Sequence, residues 1–321
     1  MAIVACALAF NVVAGFNDGG NLLASAAAGR IVPLPVALVM IVGFAFAGPF
    51  VFGTAVAETL GAGIADYSSL GMPLLLAAVV ASLSVVMLAY LARVPTTMSV
   101  ALVSAMVGSL LVTRGPEVVH WGGVSKVLIS LFGSGLAGFA IGALAFAALR
   151  FLLRPATRLT AEQIMRLQYG TVAVQALGYG ANDAEKMIGM MAAAGTAHAA
   201  GGAFTVPVWA IIAALAAFAV GLTLGGMRVA KTVGGKLFAI RPVHALAYQA
   251  AAGATVFAAS LLGGPLSTTE TTASAIVGVG AVARTRRVHW LVVGRIVAAW
   301  LITAPAGLAA GAIAGLIARW I

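Results

Sequence analysis

The sequence predicts an all-α membrane protein of two inverted-topology repeats, each of about five spans with discontinuous helices, giving roughly 10 to 12 transmembrane segments. Three observations predict it. Hydrophobic residues make up 62% of the chain and charged residues only 8%. The apolar runs are long and unalternating, as helices require and closed barrels do not. A polar Asn-Asp motif, with landmarks on both sides of it, occurs twice in the same order.

A hydrocarbon core of about 30 Å takes about 20 helical residues to cross. Ten runs meet that need: 2–29, 34–57, 72–92, 96–112, 124–149, 167–195, 204–224, 243–262, 266–283 and 289–318. No Lys or Arg precedes Arg30, so the first run lacks the charged flank of a cleavable signal peptide and is expected to remain as a span. Cys6 is the one cysteine, which excludes an intrachain disulfide and a thiolate metal cluster. The four histidines show no ligand spacing, so no metal site and no cofactor is expected.

The formal charge of +10 follows topology. Of the 18 basic residues, 13 fall in loops after odd-numbered spans: Arg30, Arg93, the Arg150 to Arg166 group, the Arg228 to Arg241 group, and Arg284 to Arg287. By the positive-inside rule those loops are cytoplasmic and both termini lie outside. Basic charge here faces anionic lipid, and no nucleic-acid partner is expected.

Gly15-Phe16-Asn17-Asp18-Gly19-Gly20-Asn21 matches Gly180-Ala181-Asn182-Asp183-Ala184-Glu185-Lys186 at an offset of 165. Thr54 to Gly61 matches Met227 to Gly234 at 173. Pro95-Thr96-Thr97-Met98-Ser99 matches Pro265-Leu266-Ser267-Thr268-Thr269 at 170. Ser134, Gly138 and Gly142 are set against Gly307, Gly311 and Gly315, as a repeat interface or a dimer seam. Near-constant offsets indicate a duplication. Five spans per copy make the second copy enter from the opposite side, so residues 1–150 and 167–321 are inverted repeats joined by a cytoplasmic linker at 151–166. The polar break within 2–29 is expected to unwind and expose helix ends.

An aspartate at the centre of a membrane helix costs roughly 2.5 to 3.5 kcal/mol, so a carboxylate placed there twice implies an ion or substrate site. Asn17, Asp18, Asn21, Asn182, Asp183, Glu185 and Glu270 are the candidate ion-coupling residues, because hard cations prefer carboxylate and amide oxygens. Thr96, Thr97, Ser99, Ser267, Thr268 and Thr269 supply hydroxyl donors to a tetrahedral oxyanion, and Lys186 is a further substrate candidate. For Lys186 three readings stay open: it stands in for a cation beside Asp183 or Glu185, it pairs with Glu185, or it contacts the anion.

The duplicated Gly-Ala-Asn-Asp element and the Pro-x-Ser-Thr element resemble the signature of the inorganic phosphate transporter (PiT, or Pho-4) family over nearly the whole chain. The resemblance implies a bacterial inner-membrane symporter for inorganic phosphate, driven by sodium or protons, and a homodimer. The histidine that usually ends the hydroxyl element is replaced by Val100 in one half and Glu270 in the other. Glu270 is therefore a candidate titratable group. A sulfate permease of the same family is the rival reading, and an anion channel a remoter one. No catalytic motif is present, so the chain is not an enzyme.

Overall fold

The computed structural model describes residues 1–65, 71–91, 96–155, 157–198, 204–226 and 240–320. Among the described residues the elements are helical. The first half contains α1 (Ala2–Ala14), a π turn (Gly15–Gly19), α2 (Gly20–Gly29), α3 (Leu34–Phe52), α4 (Ala55–Gly61), α5 (Met72–Leu91), α6 (Met98–Arg114) and α7 (Trp121–Leu152). A short helix, α8 (Arg158–Met165), leads to the second half. That half contains α9 (Gln168–Tyr179), a π turn (Gly180–Ala184), α10 (Glu185–His198), α11 (Val208–Gly221) with a π turn after it (Leu222–Gly226), α12 (Pro242–Leu261), α13 (Thr268–Arg284) and α14 (Trp290–Ala318). Among the described residues, six helical runs are long and apolar enough to cross a membrane. The sequence elements at Arg93, Pro95, and Met227 to Lys236, including the second-half match to Thr54–Gly61, lie outside the described residues.

The two halves interlock. α1 packs on α11 and α9 on α3; α6 packs on α14 and α13 on α7; α5 packs on α14 and α12 on α7. Each pairing therefore recurs with the halves exchanged, as two inverted copies related by a pseudo-twofold axis require. Close approach at the crossings depends on glycine. A Cβ on Gly15 would fall on the Phe218 carbonyl, and a Cβ on Gly180 on the Ala45 carbonyl. Small residues at such crossings let backbones meet where lipid offers no hydrophobic drive for association.

The structure corrects three expectations. The run 34–57 is not one helix: α3 ends at Phe52, and Gly53 (φ 78°) turns the chain before α4 begins. That positive φ is one that glycine adopts freely. The Asn-Asp break in the first run is not unwound. Gly15 and Gly20 keep right-handed helical dihedrals, and the five residues between α1 and α2 form a π turn, mirrored by Gly180–Ala184. A π turn keeps the backbone bonded within the segment, which hydrocarbon demands of it. Discontinuity lies instead at Gly53 and at the starts of α6 and α13.

The third correction concerns register in the small-residue ladder. Gly138 and Gly142 on α7 face the carbonyls of Thr271 and Ala275, while Gly307 and Gly311 on α14 face those of Ala101 and Ala105. Trp121 and Trp290 each donate Nε1–H to the carbonyl five residues earlier, Pro116 at 3.1 Å and Thr285 at 3.2 Å. The tryptophans, their acceptors and the glycines match at an offset of 169, one helical turn from the sequence alignment, while the facing carbonyls match at 170, so Ser134 corresponds to Thr303 and Gly138 to Gly307. Glycines four residues apart permit either register in the sequence; the aromatic anchors and carbonyl contacts decide it. The ladder is thus an interface between the repeats.

Candidate functional site

The first helical runs of the two halves pack on each other, α1 on α10 and α2 on α9, and the Asn-Asp turns lie between those contacts with Asp18 and Asp183 in electrostatic range of each other. Ser25 on α2 donates to Gln175 on α9 (3.2 Å), and the Ser25 carbonyl accepts from Tyr248 (3.0 Å) and Gln249 (2.8 Å) on α12. This polar bracket pins α2 to the second half one to two turns from Asp18. Asp18 and Asp183 are 7% and 8% exposed, so both carboxylates sit inside the protein rather than against lipid.

Residues from four segments surround the pair. Asp18 Oδ1 accepts from Asn17 Nδ2 (2.9 Å) and from Thr269 Oγ1 (2.8 Å), and Asn21 Nδ2 donates to the same threonine oxygen at 3.3 Å. Asp183 is held by Lys186 Nζ on one oxygen and by Thr268 Oγ1 on the other. Lys186 Nζ also donates to Ser99 Oγ (2.6 Å) and to the Leu266 carbonyl. An ammonium has three protons to donate, and these three acceptors use them all. Lys186 is thus the ion-pair partner of Asp183, and an anion would have to displace one of its present partners.

The other predicted residues separate by position. Asn182 staples its neighbourhood, donating to Ser260 Oγ (3.3 Å) and the Gly264 carbonyl (3.1 Å) and accepting from the Leu266 amide (2.9 Å). It fixes the extended strip that leads into α13 and points no oxygen at a free space. Thr97 and Ser267 are N-caps, accepting from the amides of Val100 and Glu270 at 3.2 Å each. Such caps are worth about 1 kcal/mol apiece. They hold the starts of α6 and α13 open inside the protein. Thr96 is not at the pair: its hydroxyl bonds Thr303 on α14 at 2.6 Å. Thr268 and Thr269 are the hydroxyls that reach the carboxylates, while Ser99 accepts from Lys186 and donates to the Leu266 carbonyl at 3.2 Å.

Glu185 also lies apart from the pair. Its Oε2 accepts from the Ala57 amide at 3.2 Å, in the first turn of α4, where helix N-terminal amides lack internal partners. A carboxylate one residue before Lys186 reads in sequence as its ion-pair partner, yet helical geometry turns neighbours in sequence about 100° apart. Glu270, 2% exposed, sits between Thr97 and a lateral cavity, with Lys186 and Asp183 in electrostatic range.

One group went unread in the sequence. Tyr179 is fully buried, stacks on Phe218 (centroids 4.2 Å apart), and carries a hydroxyl with no hydrogen-bond partner among the described residues, within electrostatic range of both Asp18 and Asp183. A tyrosine in an apolar run gives no polar signal, and Ala14 occupies the matching position of the first half.

The model of the phosphate transporter family matches the chain twice, at residues 14–166 and 154–311. A probable low-affinity inorganic phosphate transporter of Bacillus subtilis is 31% identical, over 99% of this chain and 97% of its own length. One of the same description from Rhizobium meliloti is 33% identical over 95% of this chain and 92% of its own. Among solved structures, a sodium-dependent phosphate transporter superposes with a TM-score of 0.86 at 20% identity, covering all of both chains, which is a likeness of fold.

Proposed function

This chain belongs to the phosphate transporter family, and we propose that it is a secondary transporter carrying inorganic phosphate across the cell membrane together with a cation. The observation that carries the reading is the buried carboxylate pair at the crossing of the two repeats, ringed by hydroxyls from the capped starts of α6 and α13.

In this reading the halves divide the work. Asp18, with the amide oxygens of Asn17 and Asn21 and the Thr269 hydroxyl, offers an all-oxygen ligand set, which suits sodium as a hard cation. Lys186 acts as a standing cation for Asp183, so one mobile ion suffices. Phosphate takes hydroxyl donors from Ser99, Thr268 and Thr269 and amides from the two helix starts. Two bare carboxylates would repel an anion, so phosphate binds well only after the cation has neutralised Asp18, and that order couples the two fluxes. Residues 1–150 and 167–321 are the two repeats, 151–166 is a cytoplasmic linker, and both termini face outward. Assembly as a homodimer belongs to the same proposal.

The test is uptake of labelled phosphate into proteoliposomes of the purified protein under an imposed sodium gradient, an imposed proton gradient, or neither, with excess sulfate as competitor. Sodium-driven uptake that resists sulfate is the expected result. Uptake driven by protons alone would remove the sodium assignment and turn attention to Glu270. Inhibition by sulfate, or no uptake at all, would overturn phosphate as the substrate.

A further inference from the structure

A cavity of about 410 Å³ opens sideways between α7, α13 and α14. Its walls are apolar and aromatic, with Phe132 and Phe139 from α7 and Trp290 and Trp300 from α14. Phe132, Phe139 and Trp290 are exposed at its rim, on a surface where a membrane protein meets lipid. Two polar side chains line it, Ser274 and Glu270, one turn apart on α13. Glu270 is 2% exposed, and its Oε1 has no hydrogen-bond partner among the described residues.

We propose that this cavity binds lipophilic ammonium compounds, entering from the bilayer, with the ammonium donating to Glu270 and the apolar body held by the aromatic walls. The chemistry excludes the other classes. An oxyanion would meet a carboxyl group in an apolar wall and no cationic side chain among the lining residues. A lipid acyl chain would leave the Glu270 oxygen unpaired, at a cost of about 1 to 3 kcal/mol. A hydrated metal ion cannot cross hydrocarbon to reach the mouth. An amine carries its own apolar surface, supplies the missing donor, and gains from aromatic faces around a cation. Pockets of about this volume, mainly apolar with a few placed polar groups, are ordinary small-molecule sites.

Position gives the binding a consequence. The far side of Glu270 touches Thr97, the cap of α6, and its own amide is capped by Ser267 at the start of α13. An occupant that engages Glu270 loads both helix starts at once and so slows any cycle that moves them. The mirrored position on α6 is Val100, which offers no charge, so the effect belongs to one half.

The experiment is photolabelling of the full chain in lipid nanodiscs with a trifluoromethyl-diazirine benzylamine and with the matching benzyl alcohol, mapped by peptide mass spectrometry. Labelling of segments 132–139 and 290–300 by the amine should exceed that by the alcohol about tenfold, as an ion-paired hydrogen bond requires. The Glu270→Gln variant should level the two probes, and peptides around Val100 should show no preference. Equal labelling in the unaltered protein, or a preference that survives Glu270→Gln, would overturn the proposal. Thermal melting in the same discs shows whether that variant is folded. Should it not be, Ala273→Leu, which narrows the cavity and keeps the carboxylate, decides: undiminished amine labelling there overturns the proposal too. The readout does not depend on transport, so its failure is separate from failure of the phosphate reading.

Discussion

The Gly15–Gly19 and Gly180–Ala184 turns have the same backbone and opposite electrostatics. Each is a π turn at the centre of its repeat's first helical run, each carries Asn-Asp, and each packs its leading glycine on a carbonyl of the other half. Three residues on, the first copy has Asn21 and the second Lys186. Asp183 is therefore an ion pair with its charge spent, whereas Asp18 is surrounded by neutral donors. One scaffold thus holds an ion-paired carboxylate in one half and a carboxyl group met by neutral donors in the other, and the difference lies in Asn21 against Lys186.

The sharpest way to break the comparison is to neutralise each aspartate. Asp18→Asn should lower gradient-driven uptake by about a hundredfold while leaving thermal melting nearly unchanged, because no partner is stranded. Asp183→Asn should lose uptake and stability together, since an unpaired buried lysine costs about 3 to 5 kcal/mol. Melting curves beside uptake assays distinguish the two, and equal losses of stability would mean the halves are electrostatically alike after all.

Lys186→Asn sharpens it further by making the second half match the first. Uptake should then require an additional cation, seen as a steeper dependence on sodium concentration; an unchanged slope would remove the standing-cation role. Smaller effects are expected from the hydroxyls. Ser99→Ala takes one acceptor from Lys186 and one donor from the site, and should weaken apparent phosphate affinity by about 1.5 to 3 kcal/mol. Thr96→Val breaks the bond to Thr303 alone. It should lower stability by about 1 kcal/mol and leave phosphate affinity as it was, which separates the hydroxyls at the pair from those that pack helices.

Much of this was legible from sequence because hydrocarbon is a strict solvent. Apolar helical runs follow from hydropathy, and an Asn-Asp pair repeated inside two of them is a functional signal. What hydropathy leaves open is how the chain solves a polar interruption, by unwinding or by a π turn, since both bury the same residues. It is equally blind to a single break such as Gly53. Side-chain direction was the other gap. Glu185 beside Lys186, and Thr96 beside Thr97, look interchangeable in a string, but one turn of helix sends Glu185 to the amides of α4 and the extended strip before α6 sends Thr96 to α14. The alignment of α7 with α14 slipped by a turn for a related reason: spacing by fours looks the same after a shift of four.

The exchange of helices between the halves bears on where such a chain comes from. α6 finds its groove on α14 and α13 finds its groove on α7, so one repeat by itself exposes a glycine-cut surface shaped for a second copy lying the other way up. An ancestor one repeat long would have been complete only as two identical chains inserted in opposite directions. Two separate copies of the sequence are needed before one can carry a lysine while the other keeps an asparagine, and joining them in one chain fixes their stoichiometry.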